Sequence, residues 1–211
     1  MLMRCGDDLF SIAVNSTGDA QALASQLRKT GEWLEVIPGV DSVVVRFDPL
    51  QLNGEQASQA IEAAIAAEPA VSREVGELLE IPVVYGGEFG PDLAELSRTT
   101  GLSEKELIAS HTGSEYRVDM IGFTPGFAFI GGLDDCFRVS RRGEPRQRVE
   151  AGSIGIADGR TGLYAMASPG GWNIIGRTPY KLFDPDAENP FVLSAGMRVR
   201  FKAIDASEFE S

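Results

Sequence analysis

Four side chains stand where they could act on a small polar ligand: His111, Arg117, Arg177 and Lys181. His111 is the single histidine. An imidazole titrates near neutrality, so it can transfer a proton or hold a hydrogen bond to a reacting group. At the expected end of a helix it can equally stabilise the C-terminal dipole. Arg117, Arg177 and Lys181 are the basic residues nearest the glycine-rich motifs. A guanidinium grips a carboxylate through two parallel N–H donors. The competing reading is an ion pair within the chain, for Arg177 with Asp184 or Asp158. One histidine and two scattered cysteines, Cys5 and Cys136, make no zinc set, and the cysteines are expected as free thiols.

Two loops accompany these groups. Thr124-Pro125-Gly126-Phe127 and Ser168-Pro169-Gly170-Gly171-Trp172 can turn backbone amides toward an oxyanion or a substrate amide. Phe127, Phe129 and Trp172 would then be apolar walls. Alternatively, both loops are barrel corners and the aromatics belong to the core. The run Arg138, Arg141, Arg142, Arg146 and Arg148 invites a phosphate or nucleic-acid reading, but no aromatics interleave it. A solvated loop, or a surface for an acidic partner, fits it better. There is no GxxxxGK[ST] phosphate loop and no Gly-x-Ser-x-Gly elbow, and Gly86-Gly87-Glu88-Phe89-Gly90 is no dinucleotide fingerprint.

The formal net charge of −12 argues against nucleic acid and against an anionic membrane surface. The charge is uneven. Residues 1–80 hold 13 acidic and 5 basic residues, whereas residues 136–211 hold 9 acidic and 11 basic, so an anionic ligand is expected to meet the C-terminal part. No apolar stretch approaches the roughly 18 residues of a membrane span. The start, MLMRCGDDLF, has no continuous apolar region, so no secretory leader is expected and the cytoplasm is the expected location.

These groups must be positioned by a fold of class α+β. Over the first 80 residues, strand signals at Leu9–Val14, Leu34–Ile37, Ser42–Phe47 and Leu78–Tyr85 alternate with helical spacing over Asp19–Arg28 and from Asn53 to about Ala67. That β-α-β-β-α-β order predicts a ferredoxin-like domain over residues 1–80, with the last strand bridging to a second domain at 81–211. Two helices follow over residues 91–111, the second opened by a capping box of Ser103 and Glu106. Beyond Tyr116 come short strands and glycine turns, the pattern of a closed barrel or sandwich. Twelve of the 24 glycines lie between Gly122 and Arg177.

The strings GFTPGFAFIGGLD, AGSIGIADGRTG, SPGGWNIIGRTP and KLFD, in this order, resemble the family of the bacterial 5-oxoprolinase B subunit, also called the KipI-like or allophanate hydrolase subunit 1 family. IPVVYGGEFGPDL and SHTGSEYRVDMIGF fit the same pattern. Ala128-Phe129 replaces an expected Pro-Tyr, Glu150 an expected Pro, and Asp158 an expected Gly. The resemblance implies that the C-terminal domain is a cyclophilin-like β-barrel and one half of a carboxyltransferase-type module. It implies a multi-subunit enzyme that opens 5-oxoproline to L-glutamate while consuming ATP. A C subunit, similar to allophanate hydrolase subunit 2, would be the other half, and a further A subunit would complete the enzyme. His111 and Arg177 would be catalytic, and Arg117, Thr124, Gly126, Phe127, Ser168, Trp172 and Lys181 would bind substrate, without a metal. KipI-like members instead inhibit a sporulation histidine kinase, and other relatives serve biotin-dependent urea or allophanate degradation. No Met-Lys biotin acceptor is present in this chain.

Overall fold

The computed structural model describes residues 1–30, 33–67 and 78–209. The chain divides into two compact units, Met1–Glu74 and Val75–Ser211.

The first unit follows from a period of two. In β2 (Leu9–Ala13) and β4 (Ser42–Arg46), Phe10, Ile12, Val43 and Val45 are buried and alternate with less buried residues. A sheet covered on one face requires this alternation. With β1 (Leu2–Arg4) and β3 (Glu35–Pro38) they form an antiparallel sheet in the order β1-β2-β4-β3. The cover is α1 (Thr17–Thr30) and α2 (Gly54–Ala66), which contribute Ala20, Ala24, Leu27, Ala57 and Ile61 to the core. Asn53 caps α2. Its side chain accepts from the Glu55 and Gln56 amides, and Gln56 Oε1 accepts from the Asn53 amide.

One element departs from the sequence expectation. Leu78–Tyr85 (β5) is not the closing strand of the N-terminal sheet, whose corresponding edge is occupied by β1. The order there is β-β-α-β-β-α. β5 instead lies wholly in the second unit, parallel to β13 (Arg198–Ala203) from Leu78↔Arg198 to Val83↔Ala203. The reason is burial. Ile81, Val83 and Val84 are all buried, a run suited to a barrel wall rather than a one-faced edge strand.

The second unit is a closed seven-stranded barrel. Its remaining strands are β6 (Tyr116–Ile121), β7 (Ala128–Gly131), β9 (Ser153–Ala157), β10 (Arg160–Leu163) and β12 (Asn173–Arg177). The ring order is β10-β7-β6-β13-β5-β12-β9, closed by β9 against β10. Ile81, Val83, Val118, Ile130, Ile154, Ile156, Val199 and Phe201 meet in its core, joined by Leu93 and Leu96 of α3 (Leu93–Thr100) and Leu107 of α4 (Glu104–Thr112). The capping box expected at Ser103 is present: Glu106 Oε2 accepts from the Ser103 amide, and Ser103 Oγ accepts from the Glu106 amide. Between β9 and β10 the chain reverses at Asp158-Gly159, both with positive φ (52° and 72°). That is the geometry of a two-residue hairpin turn, one that Asp tolerates better than most residues. A smaller pair, β8 (Arg146–Val149) with β11 (Ser168–Gly170), stands outside the ring.

Asp92, at the start of α3, locks this unit together. Its carboxylate is nearly fully buried and accepts four hydrogen bonds: two from Arg146 and one from Arg142, each at 2.8 Å, and one from the Ile174 amide at 2.6 Å. The Asp92 amide in turn donates to the Ile174 carbonyl. Removing the acid from such a cluster leaves two guanidiniums without a counter-charge. Asp92→Ala is expected to cost about 3–5 kcal/mol of unfolding free energy. Urea denaturation at neutral pH checks this, and a loss below about 1 kcal/mol would show that solvent replaces the carboxylate.

Candidate functional site

Arg177 ends β12 and opens a cleft of about 360 Å³. Gly152, Ala165, Tyr180, Lys181 and Phe183 also line it. The guanidinium lies 5.4 Å from the ring centre of Phe89 and 5.6 Å from that of Phe209, and the two rings sit 4.5 Å apart. A cation beside aromatic faces is attracted to them without being neutralised. Neither expected rival claims it. Asp184 pairs with Lys181 at 2.9 Å and Asp158 with Arg141 at 3.5 Å. Arg177 has no carboxylate ion-pair partner among the described residues, and its buried Nε makes no hydrogen bond. Its field reaches Glu150, whose carboxyl is held below its ordinary range chiefly by hydrogen bonds from Arg148. The sequence singled out Arg177 but not Phe89 and Phe209, because nothing local marks rings so distant along the chain as its partners.

Among the remaining expected site residues, Lys181 lines the same cleft, whereas Gly126 does not line it and packs against Ala165, which does. Gly126 has φ +73°, and a Cβ there would collide with Phe191 and Ala165. The Phe127 amide donates to the Thr124 carbonyl across Pro125-Gly126, a turn that needs a positive φ at its third position. Just before it, Phe123 also has positive φ (72°), and the Thr124 amide donates back to Gly122. This three-residue turn is a strained form, and it leaves the Phe123 ring 67% exposed. Phe127 and Trp172 do not wall the cleft. They are buried with Tyr164, Val149 and Ile174 in a separate core cluster, with ring contacts of 4.8 Å (Phe127–Tyr164) and 5.7 Å (Phe127–Trp172). Ser168 pairs with Val149 in the outer strand pair. Its Oγ, like Thr124 Oγ1 and Tyr164 OH, is buried without a hydrogen-bond partner. Arg117 does not line this cleft and donates to the Gly196 carbonyl at 2.9 Å.

His111 is inside the barrel. It has no accessible surface and is stacked on Phe201 at 4.3 Å. The Thr161 hydroxyl donates to the Gly155 carbonyl, so it accepts from the His111 Nε2–H at 3.2 Å. Nδ1 is then free to accept the Tyr85 hydroxyl at 2.6 Å. Desolvation pushes the imidazole pKa down to about 3, so it is neutral. It therefore supplies no charge to the helix end, and it reaches no ligand. The helix end was legible in the sequence, but not that it lies within the barrel.

All five residues of the arginine run pair within the chain. Arg142 and Arg146 bind Asp92, Arg138 binds Asp135, Arg141 binds Asp158, and Arg148 binds Glu150. Such neutralised groups do not make a phosphate-binding stripe. Both cysteines are free. Among the described residues no three His, Cys, Asp or Glu side chains gather as a metal set, and no helix is long and apolar enough to cross a membrane.

A family model described as "Carboxyltransferase domain, subdomain C and D" matches residues 2–193. The chain is 37% identical to the 5-oxoprolinase B subunit of Bacillus subtilis, over all of this chain and 92% of that protein. It is 40% identical to a conserved uncharacterized protein of Pyrococcus horikoshii of known crystal structure, covering 99% of this chain and 100% of that one with a TM-score of 0.62. The Kluyveromyces lactis urea amidolyase shares the fold at 16% identity and a TM-score of 0.76, with 99% of this chain matching 15% of that enzyme.

The buried imidazole makes a pH prediction. Its folded pKa of about 3 lies below the ordinary 6.5, so below pH 6.5 the unfolded chain takes up a proton that the folded chain refuses. This contribution to stability is complete above pH 6.5 and falls by about 1.4 kcal/mol per pH unit until the pH reaches the folded value. His111→Gln is expected to flatten the slope between pH 6.5 and about 5, above the range where most carboxylates titrate. Urea midpoints of both proteins across that window check it, and equal slopes would mean that the folded chain accommodates a charged imidazole.

Proposed function

The chain belongs to the carboxyltransferase domain family, subdomains C and D, and from that premise we propose that it is the B subunit of a multi-subunit 5-oxoprolinase. The assembled enzyme would open 5-oxoproline to L-glutamate with consumption of ATP, alongside its A and C subunits. The supporting observation is Arg177, a cation in a cleft with no carboxylate ion-pair partner among the described residues and with the rings of Phe89 and Phe209 beside its guanidinium. 5-Oxoproline is a small lactam carrying one carboxylate. Two N–H donors of Arg177 would hold that carboxylate, and Phe183 and Tyr180 would face the ring methylenes.

Arg177 would then orient the ring, and Lys181, paired with Asp184, would offer a remaining ammonium N–H donor at the cleft edge. The Thr124–Phe127 turn would stand behind the cleft wall, where Gly126 lets it approach Ala165 closely. His111, sealed in the core, has no part in this chemistry. ATP does not fit the residues present. A triphosphate needs several converging donors, whereas in this cleft Lys181 pairs with Asp184 and Arg177 is the one lining cation with no carboxylate ion-pair partner among the described residues. No step proposed for this cleft passes through the nucleotide.

Two measurements test the reading. The purified chain alone is expected to show no ATP-dependent hydrolysis of 5-oxoproline, and the A and C subunits are expected to restore it. Turnover by the isolated chain would refute its placement as one part of a larger enzyme. A native-host pull-down that captured a sensor histidine kinase in place of both would favour the KipI-type inhibitor instead. In the reconstituted complex, Arg177→Ala is expected to lose a charge-assisted bond of about 1.5–3 kcal/mol, which lowers kcat/KM roughly ten- to hundredfold. Arg177→Lys should recover only part of this, because the ammonium lacks the planar fork. The folded fraction is measured in parallel, since Arg177 also packs beside two rings. Unchanged activity per folded molecule would reject the carboxylate clamp.

A further inference from the structure

The Arg177 guanidinium has aromatic neighbours in place of an acid. No carboxylate pairs with it among the described residues, and its buried Nε makes no hydrogen bond. Its central carbon lies 5.4 Å from the ring centre of Phe89 and 5.6 Å from that of Phe209, and the two ring centres are 4.5 Å apart. The three groups form a closed triangle, each within reach of the other two.

The two rings are carried differently. Phe89 stands on the turn between β5 and α3. The Phe89 and Gly90 amides close this turn on the Gly86 carbonyl at 3.1 and 2.8 Å. The Gly86 amide donates to the Ile175 carbonyl at 3.0 Å, and a Cβ at Gly90 would stand 2.0 Å from that carbonyl oxygen. Only glycine admits so close an approach. Phe89 is thereby fastened to β12, the strand that ends at Arg177. Phe209 arrives from the far end of the sequence. After β13 the Ile204 amide donates to the Val83 carbonyl at 2.9 Å. A one-turn helix follows, Ala206–Glu208, opened by Asp205, whose amide donates to Glu208 Oε1 at 2.9 Å. Asp205 to Glu208 are exposed, whereas the Phe209 ring is half-buried and lines the cleft. One wall of the triangle therefore belongs to the barrel, and the other is brought to it by a surface turn.

A ring attracts a guanidinium without taking its charge, so the cation stays available to an anion. It also restricts the side chain. A long, unheld arginine loses rotamer freedom when a ligand binds, and a guanidinium already confined loses less. Phe89 confines one side only. We propose that Phe209 is a positioning residue of the Arg177 site: its ring keeps the guanidinium against Phe89 and so prepares it for a carboxylate. This rests on the reading of Arg177 as a carboxylate clamp. Phe209 acts through Arg177 and not as an apolar wall, a role that leucine would fill as well.

The test compares Phe209→Leu, Phe209→Tyr and Arg177→Ala in the reconstituted complex. Phe209→Leu is expected to raise KM for 5-oxoproline roughly three- to tenfold with kcat held within about twofold, since the loss falls on binding. Phe209→Tyr keeps the ring face and is expected to match the unaltered chain. On an Arg177→Ala background, Phe209→Leu is expected to add nothing. A second readout needs no turnover and no partner. In NMR spectra of the isotopically labelled full chain, the Arg177 Nε–H resonance, assigned by its loss in Arg177→Ala, is expected to move in Phe209→Leu and to hold in Phe209→Tyr. Should Phe209→Leu not fold, Phe209→Met, ringless and flexible, takes its place. An unmoved resonance, an unchanged KM, or additive losses in the double variant would each overturn the positioning role, and the clamp would stand as long as Arg177→Ala loses activity. Full activity in Arg177→Ala would overturn the clamp, and the positioning role with it.

Discussion

A carboxylate buried among hydrophobic strands is costly unless every lone pair is answered and the charge is met. Asp92 satisfies both conditions through four hydrogen bonds from Arg142, Arg146 and the Ile174 amide. Its consequence is positional. It ties the start of α3, the arginine-bearing segment and the beginning of β12 to one point. Arg177 lies at the end of the same β12, so the orientation of its guanidinium depends on a strand whose beginning Asp92 holds. Trp172, two residues before Ile174, is carried into the Phe127 cluster by the same strand. The cleft is therefore shaped by an acid that does not line it.

Much of this architecture was legible in the sequence, because the relevant signals are local. Capping boxes need only residues three apart, and both Asn53 and Ser103 cap as their neighbours dictate. The alternation of β2 and β4, and the glycine turns beyond Tyr116, likewise act over a few residues. What escaped detection is long-range pairing. β5 reads as a strand, but nothing within it states that its neighbours are β12 and β13. The arginine run reads as a basic stripe until the separate acids beside it are found. Arg177 was legible as a candidate from its setting, whereas its aromatic neighbours Phe89 and Phe209 were not. Phe127 and Trp172 show the opposite failure. Their motifs suggest ligand walls, and packing makes them interior.

The interior of the barrel shows how a polar group is made inert. His111 is satisfied on both nitrogens and enclosed by rings, so it behaves as a shaped, neutral core residue. Arg177 shows the contrary case, since among the described residues its charge lies beside aromatic rings and has no carboxylate ion-pair partner. The same physical quantity, the cost of desolvating charge, separates the two. His111 avoids it by staying neutral, and with both nitrogens occupied and no exposed surface it has no contact with solvent. Where a cation remains without an acidic partner, a ligand can complete the balance.

The parallel pairing of β5 with β13 also sets an order of events during synthesis. Leu78 meets Arg198 only after the roughly 120 intervening residues exist, and parallel neighbours so far apart must close a long loop before their contacts repay it. Translation is slow compared with the folding of small domains, so the sheet of the first unit, whose strands all lie within residues 2–46, has its partners in place long before the ring can close. Until the last strand leaves the ribosome, β5 presents a bare edge with Ile81, Val83 and Val84 beside it. A truncation that removes β13 therefore opens the ring at both β5 and β6 and leaves a sticky template rather than a smaller barrel.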